Sequence, residues 1–116
     1  MDGSGYKNLI VWQKAKKVAV EIYKLTENFP KSEVYGLTNQ MRRSAVSIPS
    51  NIAKGSKRGS KKEFRQFLII AYGSGAELES KIEIAKELPF AEEQDCTKID
   101  FLLSEVMRML NKMIKY

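Results

Sequence analysis

Apolar residues recur along this chain at alternating steps of four and three, and they do so in four successive segments. Val11, Ala15, Val18, Ile22, Leu25 and Phe29 carry the first, which ends at Pro30, whose ring and missing N–H stop a helix. Leu37, Met41, Ser44 and Ile48 carry the second, with Ser44 as a small polar member. Phe64, Leu68, Ala71, Gly75, Leu78, Ile82 and Ala85 carry the third, opened by the capping-box pair Ser60 and Glu63 and closed by Pro89. Ile99, Leu103, Val106, Leu110 and Met113 complete the fourth. A period of about 3.5 keeps each seam on its neighbours only if the helices pack near-parallel with a slight left-handed twist. The expected fold is therefore all-α, an antiparallel up-down-up-down four-helix bundle with helices near 9–28, 33–54, 60–88 and 91–115. The third helix, at 1.5 Å per residue, is about 43 Å long and runs the whole bundle. No stretch alternates with period two long enough to argue for a sheet.

The length of 116 residues fits one domain, and 43% apolar content is enough for a core without staples. We take 7–116 as that domain and 1–6 as a flexible lead or added remnant. Pro49 falls inside the second helical pattern, where losing the bond to the Ala45 carbonyl costs about 3 kcal/mol; a kink near Ile48 to Ser50 is expected. Gly55 and Gly59 read as a left-handed helix cap and a turn residue. Gly73 and Gly75 lie mid-helix, where close helix approach offsets the poor helix propensity of glycine.

Composition narrows the chemistry. The chain has no histidine, which removes the commonest general base and metal ligand, and its single cysteine, Cys96, forms neither an internal disulfide nor a zinc cluster. Glu79 and Glu83 share a helix face with Glu77 and Glu87 nearby, but a di-metal bundle site needs Glu-x-x-His pairs. A solvated acidic face partnered by Lys81 and Lys86, or one meeting the basic segment of another subunit, fits better. A phosphate-binding loop is excluded because AKGSKRGSKK lacks the GxxxxGK[ST] spacing and follows no strand. We expect no enzyme, no cofactor and no metal. No apolar run reaches the ~18 residues of a membrane span and no secretory pattern opens the chain, so cytoplasm is the expected compartment.

The charge is local. Arg42, Arg43, Lys54, Lys57, Arg58, Lys61, Lys62 and Arg65 face one acid, Glu63, giving this segment a net +7 in a chain of +6. Such density points to an anionic partner, best an RNA or DNA phosphate backbone, more than to a merely soluble turn. A membrane fits less well, since the segment has no apolar face to insert. Arg43, Ser47, Ser50 and Lys54, with Gln40, Ser44 and Asn51 alongside, form a polar stripe that reads equally as a solvated face or a binding surface. The uncharged stretch Phe67 to Ala76 is apolar or small all round its helix, so Ile69, Ile70, Gly73 and, further on, Ile84 point away from the seam and predict a homo-oligomer interface. Trp12, Tyr23 and Tyr72 fall beside the seams, as core or interface aromatics rather than base-stacking platforms.

The run QMRRSAVSIPSNIAKGSKR resembles a pattern of the small proteins encoded by intervening sequences of bacterial 23S ribosomal RNA genes. It matches at Gln40, Arg42, Arg43, Ser47, Ile48, Pro49, Asn51, Ile52, Ala53, Gly55 and Arg58. VWQKA at Val11 to Ala15, Phe29 with Pro30, the run Phe64 to Leu68 and Ala71 to Leu78 support it. Lys54 replaces the glutamate usual in that pattern, and Gly75 a larger apolar residue. The resemblance implies a four-helix bundle and a ring-like homo-oligomer, a pentamer. It also extends distantly to accessory variability proteins of retroelements, which bind reverse transcriptase and nucleic acid. The functional expectation is a non-enzymatic oligomeric accessory protein that binds RNA or DNA backbone. The alternative is an adaptor that uses the same basic surface to hold an acidic partner such as a polymerase or ribosomal component.

Overall fold

Ser60 shows how the sequence starts a helix: its extended backbone leaves the preceding turn and its hydroxyl accepts the Glu63 backbone N–H at 3.2 Å. From there α3, Lys61–Glu87, runs the length of the molecule, which measures 43 × 22 × 20 Å in a computed structural model describing residues 5–116. The other helices are α1, Ile10–Thr26; α2, Leu37–Ser56; and α4, Glu93–Lys115, with short 3-10 turns at Gly5–Asn8 and Lys31–Glu33. No strand occurs among the described residues. Each helix packs on its neighbours in sequence and α1 also packs on α4, closing a four-sided bundle.

Contacts between neighbouring helices run in opposite senses. Ser44 and Ser47 of α2 meet Glu77 and Ser74 of α3, while Gly55 lies against Phe67 and Phe64. Lys86 of α3 bonds Asp100 of α4, and Arg65 reaches Ile114. Lys14 and Glu21 of α1 pair with Glu105 and Lys98 of α4. At the end away from the α2–α3 turn, Phe29 and Phe90 pack with ring centroids 5.8 Å apart, joining the two loops there.

The seam residues fill the core: Ile22, Met41, Ile48, Leu78, Ile82, Leu103 and Leu110 are all fully buried, each worth about 1.5–3 kcal/mol over exposure. Toward the seam ends, Leu25, Leu37, Phe64 and Met113 are only partly buried. Ala19, Ala45, Ile52, Cys96 and Met107 join the core from outside the seams. Burial also pushes the Cys96 thiol up, with the Asp100 carboxylate adding to it, so the thiol is a poor nucleophile.

Two local expectations change. Helix α2 starts at Leu37 rather than near 33, because Lys31–Glu33 turns as a 3-10 helix and the Glu33 carboxylate then accepts the Leu37 N–H at 3.2 Å. It continues without a break through Pro49 to Ser56. Gly55 is not a left-handed cap: it sits inside the helix, buried, where a Cβ would lie 2.7 Å from Phe67 Cβ. Gly55 is thus a close-approach residue between α2 and α3. At the N-terminus residues 1–4 of the expected lead lie outside the described residues, while Tyr6 packs edge-on against Trp12 at 5.0 Å and Gly5–Asn8 contacts α1 and α2.

Candidate nucleic-acid interface

Antiparallel packing sorts the charges by bundle end. Dividing each helix at its middle residue, the half containing the α2–α3 turn holds thirteen cations against Glu63 and Glu105, a net +11. The opposite half holds eleven acids against seven cations, a net −4. The positive excess is therefore a property of the bundle end more than of one sequence segment. Lys54, Lys57, Arg58, Lys61, Lys62 and Arg65 gather there, as expected, but Lys7, Lys112 and Lys115 join them from the chain ends. Lys112 and Lys115 were missed because their neighbourhood exists only after α4 folds back along α3, and Lys7 because Gly5–Asn8 packs on α1 and α2; the cue was a last helical turn carrying Lys112 and Lys115.

Arg42 and Arg43 are not part of that cluster. They sit near the start of α2, about 21 Å along the helix from Lys57 at 1.5 Å per residue. Arg42 is committed to the fold: its Nε donates to Thr26 Oγ1 at 2.8 Å, a terminal nitrogen donates to the Tyr23 carbonyl at 3.4 Å, and its guanidinium lies 4.6 Å from the Tyr23 ring centroid. It caps the C-terminal turn of α1, where a cation is favoured. Arg65 does the same for α4, donating from Nε to the Ile114 carbonyl at 2.7 Å. Lys57 and Arg58 lie 5.8 and 4.8 Å from the rings of Tyr6 and Phe67. Arg43, Lys54, Lys61 and Lys62 are exposed, and among the described residues no hydrogen bond or ion pair holds them.

The polar stripe on α2 divides in two. Its inner edge is spent on packing: Ser47 and Ser74 share a hydrogen bond at 2.8 Å, Asn51 Nδ2 donates to the Ser47 carbonyl at 2.8 Å, and Lys81 Nζ donates to Ser44 Oγ at 3.0 Å. Its outer edge, Arg43, Ser50 and Lys54, with Ser47 shared between the two, lines an open groove of about 750 Å³ with Arg42, Asn39, Val46, Thr38, Val34, Tyr35 and Tyr23. Tyr23 is half-exposed with Arg42 on its ring, and Trp12 is partly buried against the core.

Ile69, Ile70 and Ile84 are 43, 51 and 47% exposed, with Tyr72 beside them, and a Cβ at Gly73 would meet nothing within 4 Å. Gly75 faces inward, where a Cβ would collide with Met107 Sδ. On the acidic half, Lys86 is nearly buried among Asp100 at 2.9 Å, Glu83 at 3.1 Å and Glu93 at 3.2 Å. These bonds, Asp100 first, raise its pKa well above the ordinary lysine value against the opposing effect of burial. Among the described residues no group of three or more acidic, histidine or cysteine side chains is placed to hold a metal ion. Nor is any helix there long and apolar enough to cross a membrane.

No curated protein matches the chain. A crystal structure of a protein of unknown function from the S23 ribosomal protein family of Bacteroides thetaiotaomicron is similar over 92% of this chain and 100% of that one, with 25% identity and a TM-score of 0.82. The sequence profile described as 23S rRNA-intervening sequence protein matches residues 7–112, reaching into all four helices, and the chain belongs to that family.

Proposed function

We propose that this chain is a non-enzymatic, self-associating nucleic-acid-binding protein that holds RNA or DNA by its backbone phosphates. The observation that carries this reading is the net +11 on the half of the bundle around the α2–α3 turn. Cations there outnumber acids thirteen to two, and the exposed Lys61 and Lys62 stand in the first turn of α3, where backbone amides also favour an anion. The names of the family and of the Bacteroides relative both refer to ribosomal components, which accords with an RNA partner without defining it. Copies pack through Ile69, Ile70, Gly73 and Ile84, and a ring, five-membered as the resemblance implies, would repeat the basic end and raise avidity. The kink expected at Pro49 remains part of this proposal.

Replacing Lys57, Lys61 and Lys62 by glutamate tests the reading. Glutamate at positions 61 and 62 suits the dipole of α3, and reversing the exposed Lys57 at the C-cap of α2 costs only about 0.3–1 kcal/mol, so the fold is expected to persist, with an unchanged circular-dichroism spectrum. Fluorescence anisotropy with random-sequence RNA at about 100 mM salt should show binding by the parent chain and much weaker binding by the variant. Equal affinities would make the cations a solvated surface.

One observation favours a second reading. Ile69, Ile70 and Tyr72 are exposed on α3 just beyond its basic first turns, and apolar surface beside cations suits an acidic protein partner, such as a reverse-transcriptase-like or ribosomal component. The likeness to retroelement accessory proteins rests on the sequence resemblance alone.

A further inference from the structure

The groove on the outer face of α2 runs from Arg42 and Arg43 to Lys54, at the margin of the basic end, and has a different chemistry. Its charged lining residues are Arg42, Arg43 and Lys54, with no carboxylate among the lining side chains. Arg42 is already fixed over Tyr23 by its bond to Thr26, so its position is set before any ligand arrives. Arg43 and Lys54 are exposed and, among the described residues, unpaired. Tyr35, at the groove's edge, is 93% exposed, leaving a flat aromatic ring in water. Thr38 also lines the groove; it is only 4% exposed, and its hydroxyl is the one buried side-chain polar atom among the described residues with no hydrogen-bond partner. Buried hydroxyls are almost always satisfied, and this unpaired one borders the groove.

We propose that this groove takes an unpaired nucleotide of a single-stranded nucleic acid. Tyr35 stacks on the base, Arg43 and Lys54 engage the flanking phosphates, and the Thr38 hydroxyl, turning toward the groove, finds its missing partner in the bound strand. A duplex keeps its bases stacked inside and cannot offer one to Tyr35, so the site selects single strands. An acidic peptide would satisfy the cations but not the aromatic ring. The assignment rests on the phosphate-binding reading above. It adds to that reading a contact with a base, and that contact is insensitive to salt where the backbone contacts are not.

Three labelled probes separate the two: a mixed-sequence single-stranded RNA 12-mer, the same sequence as a duplex, and a 12-mer of equal charge lacking bases. Tyr35→Ala, at an exposed position, should weaken the single strand by about 5- to 150-fold, the range for one base–aromatic stack, and leave duplex and abasic affinities unchanged. Thr38→Val should weaken the single strand too, while raising the thermal midpoint of the free protein by removing an unmet buried hydroxyl. If Tyr35→Ala changes nothing and the abasic strand binds like the intact one, the groove assignment is overturned and the backbone reading stands. If none of the three probes binds, both are overturned. Displacement of the single strand by polyglutamate of matched charge as readily as by unlabelled RNA would overturn the assignment in favour of an acidic protein ligand.

Discussion

Alanine at Gly55 and alanine at Gly73 are the same chemical change in two helices, and the structure predicts opposite signs. At Gly55 the new methyl would lie 2.7 Å from Phe67 Cβ, 2.9 Å from Phe64 Cδ1 and 3.3 Å from the Phe64 carbonyl. Carbon atoms prefer separations of about 3.5–4.0 Å, and a Cβ and a carbonyl cannot swing away, so α2 and α3 must part along their broad interface. Overpacking of this kind costs roughly 1–3 kcal/mol. Helix propensity returns at most about 1 kcal/mol, and less here because Gly55 is one residue from the helix end. The expected net loss is about 1–2 kcal/mol. At Gly73, mid-helix and with nothing within 4 Å of the built Cβ, only the propensity gain remains, about 0.5–1 kcal/mol. The two variants should differ by about 2–3 kcal/mol, or about 10 °C in Tm for a domain of this size. Urea titration followed by circular dichroism, at two protein concentrations because Gly73 lies on the proposed self-association face, measures the difference. A Gly55→Ala variant as stable as Gly73→Ala would refute the close approach of α2 and α3.

Two further outcomes follow from the same packing. Lys86→Met should destabilise the chain by about 0.5–1 kcal/mol, since it removes the cation shared by Asp100, Glu83 and Glu93, carboxylates that stay in contact with water. Because folding raises the Lys86 pKa, that deficit relative to the parent should hold level up to the ordinary lysine value of 10.5 and shrink only as pH climbs further, as read by urea midpoints across alkaline pH. Ile70→Glu should give monomers with unchanged helicity in sedimentation velocity, because the half-exposed Ile70 contributes little to one bundle; a parent chain already monomeric at micromolar concentration would contradict self-association.

The helices were legible because burial imposes a period, and Val11, Ala15, Val18, Ile22, Ile99, Leu103, Val106 and Leu110 obey it from one end of their helices toward the other. Local chemistry was legible where it is contiguous, as at Ser60 and Glu63. What failed depends on residues far apart in the chain. Arg42 and Arg65 looked like free phosphate-seeking cations, yet each caps a helix whose acceptor lies 16 or 49 residues away. Gly55 looked like a cap because glycine often ends helices; only the arrival of Phe64 and Phe67 shows that it is there for its lack of a side chain. The groove needed Tyr35, Thr38 and Lys54 brought together by the turn before α2 and the pitch of α2 itself, and no spacing rule on the stripe alone includes the tyrosine.

The central claim is that the basic half of the bundle binds phosphate, and its most direct test is the dependence of affinity on salt. With about four duplex phosphates neutralised per bound chain, log K against log salt should fall with a slope near −3.6, so affinity drops about 150-fold between 50 and 200 mM. The Lys57, Lys61 and Lys62 charge reversal should flatten the slope in proportion to the contacts removed. A measurable duplex affinity that stays constant across this range would contradict the account.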